Sequence, residues 1–201
     1  MLKIIVPIKQ VPETGNVKMD PETGTMVRDG VVSIVNPLDL YSIETALMLK
    51  EKYGAVVTVL TMGPLNAVKA LKEAISMGCD EGYILSDRAF AGADTWATAY
   101  VLMNAIQHIG DFDLILAGER ATDGDTGQVG PNLAAGLDIP LATYVRKVNE
   151  LDPEQRTITV ERSVEEGIET LRLPLPCLLT VVKEISYPRL PTLRGKKRAK
   201  T

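Results

Sequence analysis

The sequence predicts a doubly wound α/β protein: a mainly parallel sheet with helices on both faces, then a β-rich C-terminal part and an extended basic tail. Three observations carry this expectation. Short apolar runs alternate with segments of helical periodicity as far as Leu137, the pattern of repeated βαβ units. Beyond Pro140 the segments become strand-like, with no helix between them. The run Leu114-Ile115-Leu116-Ala117 is wholly apolar, as in a strand covered on both faces.

The elements follow in order. Residues 2–7 read as the first strand, because the apolar run is too short and too soon broken by Pro7 for a secretory signal. Residues 16–35 read as a hairpin excursion, with turn signals at Asp20-Pro21-Glu22-Thr23-Gly24 and Asp29-Gly30. Asn36-Pro37-Leu38-Asp39 opens a helix to about Tyr53, and Ile43, Ala46, Leu47 and Leu49 form its apolar stripe. Residues 56–62 are β-rich, and Pro64 starts a helix to about Met77. A strand over 83–85 leads to a helix over 93–109, and the strand 113–117 feeds a helix over 126–137. Strands are then expected over 142–148, 157–163, 169–173 and 177–182. Residues 1–185 form one nucleotide-binding domain in this reading, and 186–201 a separate terminal segment, with no repeat or low-complexity linker.

Composition narrows the function. At 201 residues with 45% hydrophobic side chains, the chain has ample material for a core. No run approaches the roughly 18–20 apolar residues of a membrane span. Cys79 and Cys177 lie far apart without metal-type spacing, which suits a reducing, cytoplasmic setting. The single histidine, His108, falls near a helix end and reads as a surface residue, so histidine-dependent catalysis has almost no material. Before Arg194 there are 17 basic against 26 acidic residues, a net −9, whereas Arg194, Lys196, Lys197, Arg198 and Lys200 follow without an acidic neighbour. This basic tail on an acidic body reads either as a solvated end or as a docking segment for an acidic protein. Without interleaved aromatics it is a poor nucleic-acid arm.

The segment Ala117-Gly118-Glu119-Arg120-Ala121-Thr122-Asp123-Gly124-Asp125-Thr126-Gly127-Gln128-Val129-Gly130 joins a buried strand to a helix N-terminus. Such a junction offers backbone N–H groups and a favourable dipole to phosphate. Asp125 or Thr126 is expected as N-cap, and Gly124 and Gly127 allow close approach to the backbone. Asp123 and Asp125 would repel phosphate, so the amides and the Thr126 hydroxyl are expected to hold it while the carboxylates cap or face ribose. In doubly wound sheets ligands sit beyond the C-terminal strand ends at the switch point. Convergence of Pro7-Ile8-Lys9, Thr61-Met62-Gly63-Pro64 and Ala117-Gly118-Glu119 on the helix start at Asn36 would make one adenine-nucleotide site.

Several motifs also resemble a known family. Val11-Pro12, Asn36-Pro37-Leu38-Asp39, Met62-Gly63-Pro64, Ala74-Ile75-Ser76-Met77-Gly78-Cys79-Asp80, residues 118–130, Glu165-Glu166-Gly167-Ile168-Glu169-Thr170 and Leu173-Pro174-Leu175-Pro176-Cys177 resemble the β subunit of electron transfer flavoprotein, in order and over nearly the whole chain. The resemblance implies a heterodimer with an α subunit that carries its own FAD. It also implies a nucleotide held by Pro7, Asn36, Pro37, Leu38, Asp39, Met62, Gly118, Glu119, Arg120, Ala121, Thr122, Asp123, Gly124, Asp125, Thr126, Gly127, Gln128 and Val129.

Conventional members of that family hold AMP, whereas the Asp123-Gly124-Asp125-Thr126-Gly127-Gln128 loop looks like the electron-bifurcating kind, in which the β subunit holds a second FAD. That kind takes a hydride from NADH and sends electrons to the α-subunit FAD and to a low-potential acceptor such as ferredoxin or flavodoxin. Leu193 aligns with the leucine that docks acyl-CoA or related dehydrogenases, which raises the docking reading of the tail above plain disorder. Two positions depart from the family pattern: Ser163 stands where an acidic residue is common, and Thr14 where a tyrosine sometimes occurs. The family usually continues past the basic segment with an arm around the α subunit, so residues 186–201 are expected to be a truncated recognition loop and tail. A purely AMP-holding carrier subunit and an adenine-nucleotide-sensing α/β module are the competing expectations.

Overall fold

The computed structural model describes residues 1–13 and 33–200. One sheet of eight strands organises them, in the order β5-β4-β1-β6-β10-β7-β8-β9. The strands are β1 (Lys3–Pro7), β4 (Val56–Met62), β5 (Glu81–Leu85), β6 (Leu114–Gly118), β7 (Leu141–Asp152), β8 (Thr157–Val164), β9 (Gly167–Pro174) and β10 (Cys177–Val181). The six from β5 to β7 run parallel, and β8 and β9 extend the sheet antiparallel. A separate antiparallel pair joins β2 (Gln10–Pro12) to β3 (Ser33–Val35). It forms the flanks of the expected excursion, whose turn signals, with Thr14, lie outside the described residues.

Period-two alternation sorts the strands into two cores. Ile4, Val6, Val57, Val59, Leu114 and Leu116 pack with Ile43 and Leu47 of α1 (Pro37–Tyr53) and Leu71 and Ala74 of α2 (Val68–Met77). On the other face Ile5, Leu60, Ile115 and Leu178 pack with Leu102 and Ile106 of α3 (Thr95–Ile109) and Leu133 and Ala134 of α4 (Val129–Leu137). Each fully buried Leu or Ile contributes about 1.5–3 kcal/mol, before the conformational entropy lost in ordering it is set against the gain. Helices on both faces confirm the doubly wound reading. Among the described residues no helix is long and apolar enough to cross a membrane.

Local chemistry sets the helix ends. Pro37 opens α1 with its φ already suited to a helix, and Gly54 closes it at φ 70. The Asp94 carboxylate accepts the Ala97 N–H at 2.8 Å, so α3 begins at Thr95 rather than two residues earlier. A 3₁₀ turn, Leu65–Ala67, precedes α2, which starts later than its Pro64 signal implied.

Two expectations need correction. The helix after β6 begins at Val129, with Gln128 at the cap and no side-chain capping bond, so neither Asp125 nor Thr126 caps it. The reason is backbone handedness: Asp125 at φ 55 and Gly127 at φ 63 turn the chain before helical geometry is reached. The tail is not extended throughout, because Leu193–Arg198 form a short helix, α5. Thr192 caps it by accepting the Gly195 N–H at 2.9 Å. The Thr192 N–H donates to the Ser76 carbonyl at 3.2 Å, and the Arg198 guanidinium donates to the carbonyls of Ile75 and Cys79 at the end of α2.

Candidate functional site

The chain runs from β1 outward to β4 and β5, then returns to β6 on the other side of β1. That reversal is the switch point, and a cleft of about 1040 Å³ opens beyond the strand ends there. Pro7, Asn36, Asp39, Met62, Gly118, Glu119, Arg120, Ala121, Asp123, Gly124, Asp125, Thr126, Gly127, Gln128 and Val129 all line it. Of the expected contacts, Pro37, Leu38 and Thr122 stand outside the lining.

Asn36 and Asp39 form the polar hub of the site, at 1% and 6% exposure. Asn36 Nδ2 donates to Asp39 Oδ1 at 3.0 Å and to the Arg120 carbonyl at 2.9 Å, while its Oδ1 accepts the Thr122 N–H at 3.2 Å. Asp39 Oδ2 accepts the Lys9 N–H at 2.7 Å, and the Gly118 N–H also donates to this carboxylate. These bonds tie the ends of β1 and β6 and the loop after β6 to the first turn of α1. Both Nδ2 hydrogens and one Oδ1 lone pair of Asn36 are committed within the protein, and together they hold the loop.

Burial pushes the Asp39 carboxyl up to about 7, against the lowering effect of the Lys9, Asn36 and Gly118 hydrogen bonds and the Lys9 charge. The folded protein therefore holds this proton more tightly than the unfolded chain does. The stabilisation linked to Asp39 is complete below the ordinary aspartate value of 3.8 and is lost as the pH rises to about 7. We expect Asp39→Asn to remove that component, flattening the fall in urea-unfolding stability between about pH 4 and pH 7.5. The same pH slope in variant and parent would reject the assignment.

The acidic side chains of the loop are engaged with cations. Lys9 Nζ lies 2.7 Å from Asp123, and Arg120 lies 3.2 Å from Asp125 and 3.5 Å from Glu119. These pairs draw the carboxylates aside and leave the Thr126 hydroxyl without a hydrogen bond to any described residue. A Cβ added at Gly124 would meet no atom of the described residues within 4 Å, so that stretch of backbone is open on the side of the described residues. At Gly130 a Cβ would press on Thr180 Cγ2 at 2.6 Å, which explains how closely the start of α4 packs on β10. The volume, the open backbone at Gly124 and the helix start at Gln128 fit a phosphate-bearing nucleotide.

Sequence reasoning missed a wall of the cleft. Ser86, Asp87, Arg88, Phe90, Ala91, Gly92, Ala93 and Asp94 line it from the connection between β5 and α3, and Thr95 and Thr98 from the first turn of α3. The available signal was positional, since this connection leaves the C-terminal end of a parallel strand, where ligand-binding loops gather.

Fold and cleft together define a doubly wound α/β protein with a deep cleft at its switch point. Residues 23–201 match the electron transfer flavoprotein domain. The chain is 50% identical to an electron transfer flavoprotein subunit beta from Thermoanaerobacterium thermosaccharolyticum, over 96% of this chain and 73% of that one. It is 49% identical to the caffeyl-CoA reductase-Etf complex subunit CarD of Acetobacterium woodii, over 96% of this chain and 73% of that one. With Protein FixA of Azotobacter vinelandii the identity is 46%, over 89% and 65% of the two chains. The chain belongs to the electron transfer flavoprotein family, in its β-subunit branch.

Proposed function

We propose that this chain is a β subunit that holds FAD in the switch-point cleft and serves NADH-dependent electron bifurcation. Its partner is an electron transfer flavoprotein α subunit with a second FAD, and its setting is the cytoplasm. The observation that carries the reading is the roomy cleft beside the open backbone at Gly124. At about 1040 Å³ it reaches the top of the range for small-molecule sites, more room than an adenylate requires. The relative CarD belongs by name to a caffeyl-CoA reductase complex, which supports a dehydrogenase partner of the acyl-CoA type.

A flavin bound here supplies the redox chemistry, accepting a hydride and releasing single electrons. The chain's own residues bind and orient. Asn36 and Asp39 hold the loop in shape, the amides around Gly124 and the start of α4 meet the diphosphate, and Thr126 adds a hydroxyl donor. Ferredoxin or flavodoxin fits the low-potential acceptor. The exposed Leu193, beside Leu190 and Tyr187, offers an apolar anchor for a dehydrogenase.

Co-expression with the α subunit, denaturation and chromatography of the released nucleotides test this reading. Two FAD and no AMP per heterodimer are expected, with bleaching of flavin when NADH is added anaerobically. One FAD with one AMP, and no bleaching, would instead make the chain a conventional carrier subunit.

A further inference from the structure

The segment Ser186-Tyr187-Pro188-Arg189-Leu190-Pro191-Thr192-Leu193 carries a period of three. Ser186, Arg189 and Thr192 are tied to the body of the domain, each to α1 or α2. The Ser186 hydroxyl donates to the Tyr41 carbonyl at 3.2 Å, the Arg189 guanidinium forks onto Glu44, and the Thr192 N–H donates to the Ser76 carbonyl. One position further along in each case, Tyr187, Leu190 and Leu193 are 96%, 85% and 87% exposed. Pro188 and Pro191 occupy the third position of the period and fix φ at about −65°, which suits an extended chain of three residues per turn. The ties therefore face inward and the apolar side chains outward, about 9 Å apart at the usual rise of such a chain.

Three large apolar side chains aligned in solvent mark a docking surface, and charge says what covers it. The helix α5 begins at the last of them and supplies Arg194, Lys196, Lys197 and Arg198. Lys72 of α2 joins Lys196 and Lys200 around a surface pocket of about 430 Å³ beside Pro191, where Glu73 is the one acid among the described lining residues. This cationic rim stands on a body that carries a net −9 before Arg194. The complementary partner presents an apolar groove edged with carboxylates.

We infer that Tyr187, Leu190 and Leu193 form one apolar ladder that docks in such a groove of a dehydrogenase, with Arg189 as the positioning residue that keeps the ladder in line. The inference rests on the reading of Leu193 as a dehydrogenase anchor. It extends that single contact to three, and to a residue that faces away from the partner. Arg189 acts through Glu44, whose side chain is 7% exposed on α1, and a segment held in its bound shape has less freedom to lose on docking.

The test follows electron exchange between the full heterodimer and a purified acyl-CoA dehydrogenase reduced by its acyl-CoA, over a range of dehydrogenase concentrations. Tyr187→Ser and Leu190→Ser, at side chains almost wholly in solvent, are each expected to raise the half-saturating concentration by about tenfold or more, with the limiting rate held within about twofold. Arg189→Met is expected to show the same split, and Arg189→Lys, which keeps a cation beside Glu44, to recover part of the loss. Added salt should weaken docking of the parent. Unchanged half-saturation in Tyr187→Ser and Leu190→Ser would overturn the ladder and leave Leu193 as a lone anchor. For Arg189→Met, a lower limiting rate at constant half-saturation, or no recovery with lysine, would overturn the positioning role. Docking indifferent to salt would overturn the acidic rim of the partner. A parent without saturable exchange would remove the Leu193 docking reading itself.

Discussion

Gly118→Ala is expected to destabilise the protein by about 3 kcal/mol, the upper end of the usual cost of overpacking, and to abolish the nucleotide binding proposed for the cleft. A Cβ there would fall well inside van der Waals contact with Asp39 Oδ1, and would lie 3.0 Å from the Leu38 carbonyl carbon and 3.1 Å from the Asp39 nitrogen. Two of those three atoms are backbone and have no rotamer through which to withdraw. Relief therefore requires the start of α1 to move off the end of β6, which breaks the hub that holds the loop. Gly124→Ala is the contrast: with no atom of the described residues within 4 Å of the added methyl, stability should stay within about 0.5 kcal/mol of the parent. Urea unfolding of the two variants separates the cases, and a Gly118→Ala protein within about 1 kcal/mol of the parent would refute the packing argument.

The second large effect concerns the terminal segment. The Arg189 guanidinium forks onto Glu44, with Nε 2.8 Å from Oε2 and Nη2 2.8 Å from Oε1, and its backbone N–H donates to the same carboxylate at 3.0 Å. It also pairs with Glu51. The Glu44 side chain is 7% exposed and that of Arg189 31%. Removing one member of a buried pair costs about 3–5 kcal/mol, and the partial exposure of Arg189 reduces the expectation to about 2–3 kcal/mol. For Arg189→Met the cost should fall locally, because opening of the segment is the cheapest relief. Amide exchange at Thr192, Lys196 and Ala199, whose N–H groups bond to Ser76, Thr192 and Gly195, should accelerate by about 30- to 150-fold, with α4 unaffected. Unchanged exchange would show that the clamp does not hold the segment. Glu51→Gln, at a carboxylate 62% exposed, should shift stability by no more than about 0.5 kcal/mol.

The same segment shows where sequence reading runs out. Its basic residues, and Leu193 as an anchor, were legible as composition and motif. The helix Leu193–Arg198 was not, because six residues are too few to be helical alone. They become so against the end of α2, where a Cβ at Gly195 would collide with the Ser76 carbonyl. The cleft divides in the same way. The loop of residues 118–130 is contiguous in sequence and announces itself, whereas Arg88 and Phe90 join it only once the sheet order places β5 three strands from β6.

By itself, the sequence determined the alternation of strand and helix, the two faces of the sheet and the glycine-rich loop after β6, since all three are written in local periodicity and turn chemistry. The tertiary structure alone decided that β10 inserts between β6 and β7, that Asn36 and Asp39 work mainly as a buried hub, and that α4 waits until Val129 to begin. Those outcomes depend on contacts between residues far apart in the chain. The Asn36 amide meets Arg120 and Thr122, the Asp39 carboxylate meets Lys9, and no local pattern encodes such pairings.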